Sequence, residues 1–555
     1  MAQTDIRSWV RERIRAAMAE AGYTQAAKEQ IVLELPREFS HGDIACPAAF
    51  TIAKSRRCPP AEVAGKLVAA IPADEVVERV ETAGGGYVNF FLGAKAWRDL
   101  FDAVRSRGNE YGNSEVLSGE RFLVEFISAN PTGPLLVVNA RQAAFGESLC
   151  RCLAAAGARV EREYYVNDAG AQVRNLALSV EARWRQGRGE PAEIPKDGYQ
   201  GEYVKDLAAQ AREVLGDSLL SEDAESRAAR IRELVVEKII LGQKDDLGLF
   251  NVVFDRWFRE SSLHQDGKVS EALETMRKAG EVFENEGALW FRSTKFGDEK
   301  DRVLVRTDGG PTYILPDLAY HRDKYSRGYT RLVNIVGADH QTEMKVLRSA
   351  LKVMDYDTEA LEVITVQFVN LKRGKEKVVM SKRAGAVFTL RELVEEVGRD
   401  AARFFFLLRA PSSHLEFDMD LAKSASLENP VYYIQYAHAR LCSLMEFARG
   451  QGLAPEITSD VRVELLMEPE EKIVMRKLAR FPFVVEKAAL GRMPHVLTYE
   501  MLDCAQAIHQ FYTKHRVVGG GPVEVANARL ALVAASKQVL ANGLALLGVS
   551  APERM

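Results

Sequence analysis

Residues 128–140 read SANPTGPLLVVNA, a Pro/Gly-rich turn between the strand-like run RFLVEFI at 121–127 and a helical stretch reaching about Ala156. Strand, turn and helix in that order make one βα unit of a doubly wound parallel sheet, where ligands sit at the carboxyl ends of the strands. The first turn of such a helix presents unsatisfied backbone N–H groups and suits an anion such as a phosphate. Asn139 adds an amide that can donate, whereas Leu136 and Val138 bring no polar atom. A second segment, KRGKEKVVMSKR at 372–383, gathers cations around Ser381, Lys382 and Arg383. Taken alone, such a charge run is an ordinary solvated loop. A third, NPVYYIQYAHAR at 429–440, interleaves Tyr432, Gln435, Tyr436 and Arg440, groups able to stack on unpaired bases. At helical spacing most of that stripe also reads as core.

Composition bounds what these segments can serve. A chain of 555 residues with 47% hydrophobic and 27% charged residues is built like an ordinary soluble globular protein of about three or four domains. Its 74 Lys+Arg against 78 Asp+Glu leave a net charge of −4, so a nucleic-acid partner would need local basic surfaces. No apolar run approaches the ~20 residues that span a bilayer. The opening MAQTDIRSWVRERIRAAM reads as an amphipathic helix of a cytoplasmic protein, with no membrane partner expected. The six cysteines, at 46, 58, 150, 152, 442 and 504, lack paired CxxC spacing. Buried reduced thiols are expected, and no metal site.

Three regions follow along the chain. Residues 1–115 hold two helical patterns and then GGGYVNFFL, a turn feeding a strand. Residues 116–400 carry the βα unit, a second strand RVEREYYV, a charged helical insertion at about 195–300, and further strands RVLVRT, RLVNIVG and EVITVQFV. Helical periodicity dominates 401–555, broken by the loop GGGP at 519–522. The expected fold class is α/β: a doubly wound parallel-sheet catalytic domain with an N-terminal α+β domain and a C-terminal all-α domain.

Long blocks carry a resemblance. EFISANPTGPLLVVNARQAAFGESL, EYYVNDAGAQVRNLALSVEARW, GALWFRSTKFGDEKDRVLVRTDGGPTYILPDLAYHRDKY and EKVVMSKRAGAVFTLRELVEEVGRDAARFFFLLRAPSSHLEFDMDLA occur in this order, followed by ENPVYYIQYAHARLC and the C-terminal ARLALVAASKQVLANGLALLGVSAPERM. Together they resemble the arginyl-tRNA synthetase family of class I aminoacyl-tRNA synthetases over nearly the whole chain. The resemblance implies ATP (with Mg), L-arginine and an arginine tRNA as substrates, with the protein a monomer. It implies that Glu125 and Asp317 hold the guanidinium, that Asn130 meets the α-amino or carboxylate group, and that Tyr313 lines the pocket. Asp339 and His340 are the kept part of GADHQ at 337–341. Ser381, Lys382, Arg383 and Asn139 would be the catalytic groups around the phosphates, and Asn89, Tyr436 and Arg440 the tRNA contacts.

The same resemblance exposes departures. Where the family has PTGPLH-x-GH, this chain has Leu136, Val138 and Asn139. The family histidines donate to phosphate oxygens, and its glycine lets adenine lie on the backbone. Val379 replaces the first lysine of KMSKRAGN, Ala386 replaces its asparagine, and Pro316 stands where Ser, Thr or Arg is usual. The stretch LLVV is expected to have reverted to core packing. The expected function is therefore a paralogue that keeps the arginine pocket and tRNA-binding architecture while ATP-dependent arginine activation is impaired or lost. Such a protein would act on arginine or arginyl-tRNA, as a regulator or a transferase. The alternative is an active arginine–tRNA ligase that tolerates an unusual ATP loop. A purely structural role is disfavoured by the retained Glu125, Asn130, Tyr313 and Asp317.

Overall fold

A computed structural model describes residues 6–24, 26, 31–36, 38–374, 376, 377 and 388–555. The chain forms two compact units, 1–116 together with 425–555, and 117–424. The stretch 401–424, expected in the helical domain, thus falls in the second unit, where helix Arg399–Phe406 buries Phe404, Phe405 and Phe406.

The first unit starts with α1 (Ile6–Glu20), whose Val10, Ile14, Ala17 and Met18 recur at helical spacing and are buried. Strands β1 (Ile44–Cys46), β2 (Val77–Ala83) and β3 (Tyr87–Leu92) pair antiparallel in the order β1-β3-β2. After α2 (Ala94–Arg107) the chain leaves this unit, and it returns at residue 425. Four long helices then complete it: Pro430–Gly450, Pro469–Leu490, His495–Lys514 and Val523–Leu547. The last is long and apolar enough to cross a membrane, yet 67% of its most apolar window is buried, as befits a core helix. The halves lock through a buried charge. Arg7 donates to the Pro482 carbonyl at 2.8 Å and to the Asn113 carbonyl at 3.0 Å, and it pairs with Glu486 at 3.4 Å.

In the second unit β4 (Arg121–Phe126) buries Phe122, Leu123, Val124 and Phe126, the near-continuous apolar run of a strand covered on both faces. It leads into α3 (Val137–Ala155) and β5 (Arg159–Val166). Helices α4 (Ala171–Gln186), α5 (Glu202–Leu215) and α6 (Ala224–Leu249) make a separate apolar cluster before the chain rejoins the sheet. It rejoins at β6 (Arg256–Arg259), then continues through α7 (Ile314–Ser326), β7 (Arg331–Gly337), α8 (Gln341–Val353) and β8 (Leu361–Val366). The sheet order is β8-β7-β4-β5-β6, all parallel, so the strand order reverses between β4 and β7. A crevice opens at that switch point.

Two strand expectations need correction. The insertion expected at about 195–300 is not wholly outside the sheet, since β6 pairs with β5 and Trp257 stacks on Tyr164 at 4.2 Å. Conversely RVLVRT does not resume the sheet. Arg302–Val305 instead joins the hairpin Val282–Asn285/Ala288–Phe291 in a three-stranded antiparallel sheet. That hairpin turns on Glu286 and Gly287, both at positive φ (50° and 75°), the backbone of a tight type I′ turn.

One contact fixes α3 on β4. A Cβ added at Gly146 would lie 2.5 Å from the ring of Phe126, which is fully buried. Gly146→Ala should therefore overpack the interface, costing about 1–3 kcal/mol and lowering the thermal midpoint by roughly 2–6 °C. Differential scanning calorimetry would check this; an unchanged midpoint would mean that the ring moves freely.

Candidate active site

The crevice is entered by the loop that leaves β4. Ile127 and Ser128 both adopt left-handed φ (70° and 42°), a costly conformation for a β-branched residue. Neighbouring side chains hold this loop in place. The Tyr164 hydroxyl accepts from the Ala129 N–H at 3.1 Å and lies 3.0 Å from the Ala129 carbonyl and 3.1 Å from Gln243 Oε1. Gln243 donates to the Gly133 carbonyl at 3.1 Å, and Tyr203 to the Thr132 carbonyl at 2.8 Å. Burial keeps the Tyr164 phenol well above its usual pKa, so it stays a neutral strap. The insertion helices thus shape the loop before any ligand arrives.

The start of α3 is largely satisfied from within. The Leu136 N–H donates to Asn139 Oδ1 at 3.0 Å, and the Val137 N–H donates to the Phe388 carbonyl at 3.1 Å. The amide of Asn139 is thereby oriented with its oxygen on the backbone and its NH2 as the remaining donor. The stretch LLVV is not core throughout, contrary to expectation. Leu135 and Val137 are buried, Leu136 is half-buried, and Val138 is 40% exposed, with Leu136 and Val138 lining the crevice. The reason is periodicity, because successive residues at a helix start cannot all face one core.

The expected arginine-site residues Glu125, Asn130, Tyr313, Asp317 and Asp339 do line this one crevice, with His340. Asn130 donates to Gln172 Oε1 at 2.9 Å. Tyr313 is 57% exposed at the head of α7. Asp339 stands on the rim, and His340 Nδ1 is 2.6 Å from Glu343 Oε2, a hydrogen bond that raises the imidazole pKa.

The two guanidinium candidates differ. Asn334 on β7, Glu125 on β4 and Glu163 on β5 lie side by side in register, a polar row across the sheet. Helix α7 lays Asp317, Tyr320, His321 and Lys324 over this row at i, i+3, i+4 and i+7 spacing. Lys324, fully buried, places Nζ 2.5 Å from Glu125 Oε2, 3.0 Å from Asn334 Oδ1 and 4.1 Å from the Tyr320 ring centroid. Ser128 donates to Glu125 Oε1 at 2.8 Å. Glu125 therefore already has a cation, an arrangement that the expected role as a free partner for a guanidinium overlooked. Asn334 Nδ2 lies 2.7 Å from His321 Nε2, and His321 Nδ1 lies 2.8 Å from the Asp317 carbonyl and 3.1 Å from its carboxylate. The Asp317 side chain remains 31% exposed to the crevice. Lys324, His321 and Asn334 are functional candidates missed in the sequence. The spacing within DLAYHRDKY was the available signal.

Ser381, Lys382 and Arg383, with Val379 and Ala386, lie outside the described residues. Among the described residues no three His, Cys, Asp or Glu side chains are grouped to hold a metal ion.

In the first unit the tRNA candidates separate. Asn89 is only 2% exposed within β3, paired on both sides, so it is no surface contact in this conformation. Tyr436 is half-exposed and stacks near Tyr432 and His509, at 6.2 and 5.8 Å. Arg440 places its guanidinium 3.7 Å over the Tyr512 ring. These groups form one aromatic and cationic patch. Gln435 is bonded to Ser550 instead.

Comparison with known proteins agrees along the whole chain. Residues 8–92 match the arginyl tRNA synthetase N terminal domain, 103–406 the class I (R) tRNA synthetase catalytic domain, and 434–555 the DALR anticodon binding domain. The arginine–tRNA ligases of Geobacillus thermodenitrificans and Geobacillus kaustophilus are 46% and 45% identical over 549 and 553 residues, covering 98% and 99% of each chain. The Thermus thermophilus arginyl-tRNA synthetase structure superposes with a TM-score of 0.76 at 24% identity, spanning 99% of this chain and 100% of that one. With the class I catalytic sheet, the helical domain and full-length relatives all in agreement, the chain belongs to the arginyl-tRNA synthetase family.

Proposed function

We propose that this protein is an arginine–tRNA ligase, joining L-arginine to an arginine tRNA at the expense of ATP and Mg in the cytoplasm, as a monomer. The observation that carries the reading is the open Asp317 carboxylate beside Tyr313 and Glu125 at the sheet's switch point, where a guanidinium would be bound by charge-assisted hydrogen bonds. Asn130 is placed to meet the amino-acid head group, and Ser381, Lys382 and Arg383 are assigned to the pyrophosphate side. The Tyr436–Arg440 patch is assigned to unstacked anticodon bases. The names of the full-length relatives support the ligase over the impaired paralogue expected from the ATP loop.

One observation favours a second reading, in which activation is slow or absent and the protein works on arginine or arginyl-tRNA. Leu136 gives the phosphates no donor, and exposed Val138 puts methyl groups where adenine would lie on a backbone. Arginine-dependent ATP–pyrophosphate exchange, run with and without arginine tRNA, separates the two. Exchange that requires both arginine and tRNA supports the ligase; none under either condition supports the second reading.

Arginine itself should bind under both. Citrulline has nearly the same shape without the charge, and a hydrogen bond to a charged group is worth about 1.5–3 kcal/mol, so citrulline should bind about 10–100-fold more weakly. Isothermal titration of both ligands would check this. Equal binding would mean that the crevice does not read the guanidinium.

A further inference from the structure

Lys324 is buried where no solvent ion can reach it, and its three donor directions are spent on Glu125, Asn334 and the face of Tyr320. An ammonium can only donate, so Asn334 must present its carbonyl oxygen to Lys324. Its NH2 then donates to His321 Nε2, which leaves the imidazole proton on Nδ1, facing Asp317. Each assignment forces the next, and together they distribute charge through the pocket. Within this cluster Glu125 is paired with Lys324, His321 accepts at Nε2, and the Asp317 carboxylate has no Lys or Arg ion-pair partner among the described residues. Beside Glu125, the Asp317 carboxylate is therefore the group open to a guanidinium.

We infer that Lys324 is a specificity-determining and positioning residue of the arginine site: it neutralises Glu125, so that Asp317 alone anchors the guanidinium ionically and Glu125 serves as a fixed, charge-balanced acceptor. The inference rests on the arginine reading of this crevice. On this view Glu125→Gln weakens arginine chiefly because it strands a positive charge beside the ligand, and removing that charge restores the balance.

The test is a double-mutant cycle on the full-length protein, with arginine affinity measured by calorimetry and folding by thermal melt. Glu125→Gln should bind arginine about 10–100-fold more weakly than the parent. Adding Lys324→Met should recover most of that loss, although a second polar group has been removed. If Glu125 holds the guanidinium as a free carboxylate, the double variant binds no better than Glu125→Gln, and the inference is overturned. Recovery of the melting midpoint without recovery of affinity overturns it equally, since Lys324 would then be structural only. The parent, Glu125→Gln and the double variant suffice, so the test survives if Lys324→Met alone does not fold. A parent that binds no arginine overturns the arginine reading itself, a distinct outcome.

Discussion

On the second reading, Leu136→His, Val138→Gly and Asn139→His together should raise arginine-dependent ATP–pyrophosphate exchange, with tRNA present, at least about a hundredfold over the parent. On the ligase reading the parent already exchanges, and the triple variant gains little. Loss of a single well-placed donor to developing charge costs about 10²–10³ in rate, and on the second reading Leu136 offers no donor and Val138 no bare backbone. Val138 is 40% exposed toward the crevice, so its methyl groups would meet a base laid against the start of α3. Each single replacement should do little. A new histidine has no phosphate to meet while Val138 displaces adenine, and Val138→Gly alone supplies no donor; the three are coupled. Asn139→His also removes the amide that now satisfies the Leu136 N–H, which predicts a small stability cost in that variant alone. From a folded variant that still binds tRNA, exchange no faster than that of an inactive parent would place the loss elsewhere, with Pro316, Val379 and Ala386 the next positions to revert. No gain over an active parent supports the ligase.

The second large effect is expected at Asp317. Asp317→Asn keeps the shape of the side chain and the backbone carbonyl that receives His321, but removes a carboxylate charge that no Lys or Arg pairs with among the described residues. Losing one member of a close charge pair costs about 2–5 kcal/mol, so arginine affinity should fall at least about thirtyfold while citrulline affinity barely changes. Titration calorimetry with both ligands measures the contrast. A parallel loss of both ligands would assign Asp317 to the architecture of α7 instead of the recognition of charge.

Much of the fold is legible because its signals are local. RFLVEFI announces a buried central strand, and the Pro/Gly turn after it announces the crevice. What escapes is decided at a distance. RWFR is four residues long, and its place in the sheet depends on Trp257 meeting Tyr164, which no window of sequence contains. Arg302–Val305 looks like a strand of the parallel sheet because β propensity does not name its partner. Glu125 does reach the crevice, yet its cation comes from a residue 199 positions away, and only the register of β4 against β7 brings Asn334 beside it. The LLVV segment misleads because a run of four apolar residues conceals which two face the crevice.

The discontinuous first unit sets an order of events during synthesis. Arg7 and its acceptor at the Asn113 carbonyl emerge early, but the Pro482 carbonyl and the Glu486 carboxylate that also hold it are made only after residues 117–424. Until then α1 should dock only loosely, because burying that guanidinium without the Glu486 carboxylate would be costly. A nascent or truncated chain ending before Pro469–Leu490 would expose its amino-terminal helix to proteases, even with the catalytic sheet complete. Protection of that helix therefore reports that Pro469–Leu490 has been made and has docked on it.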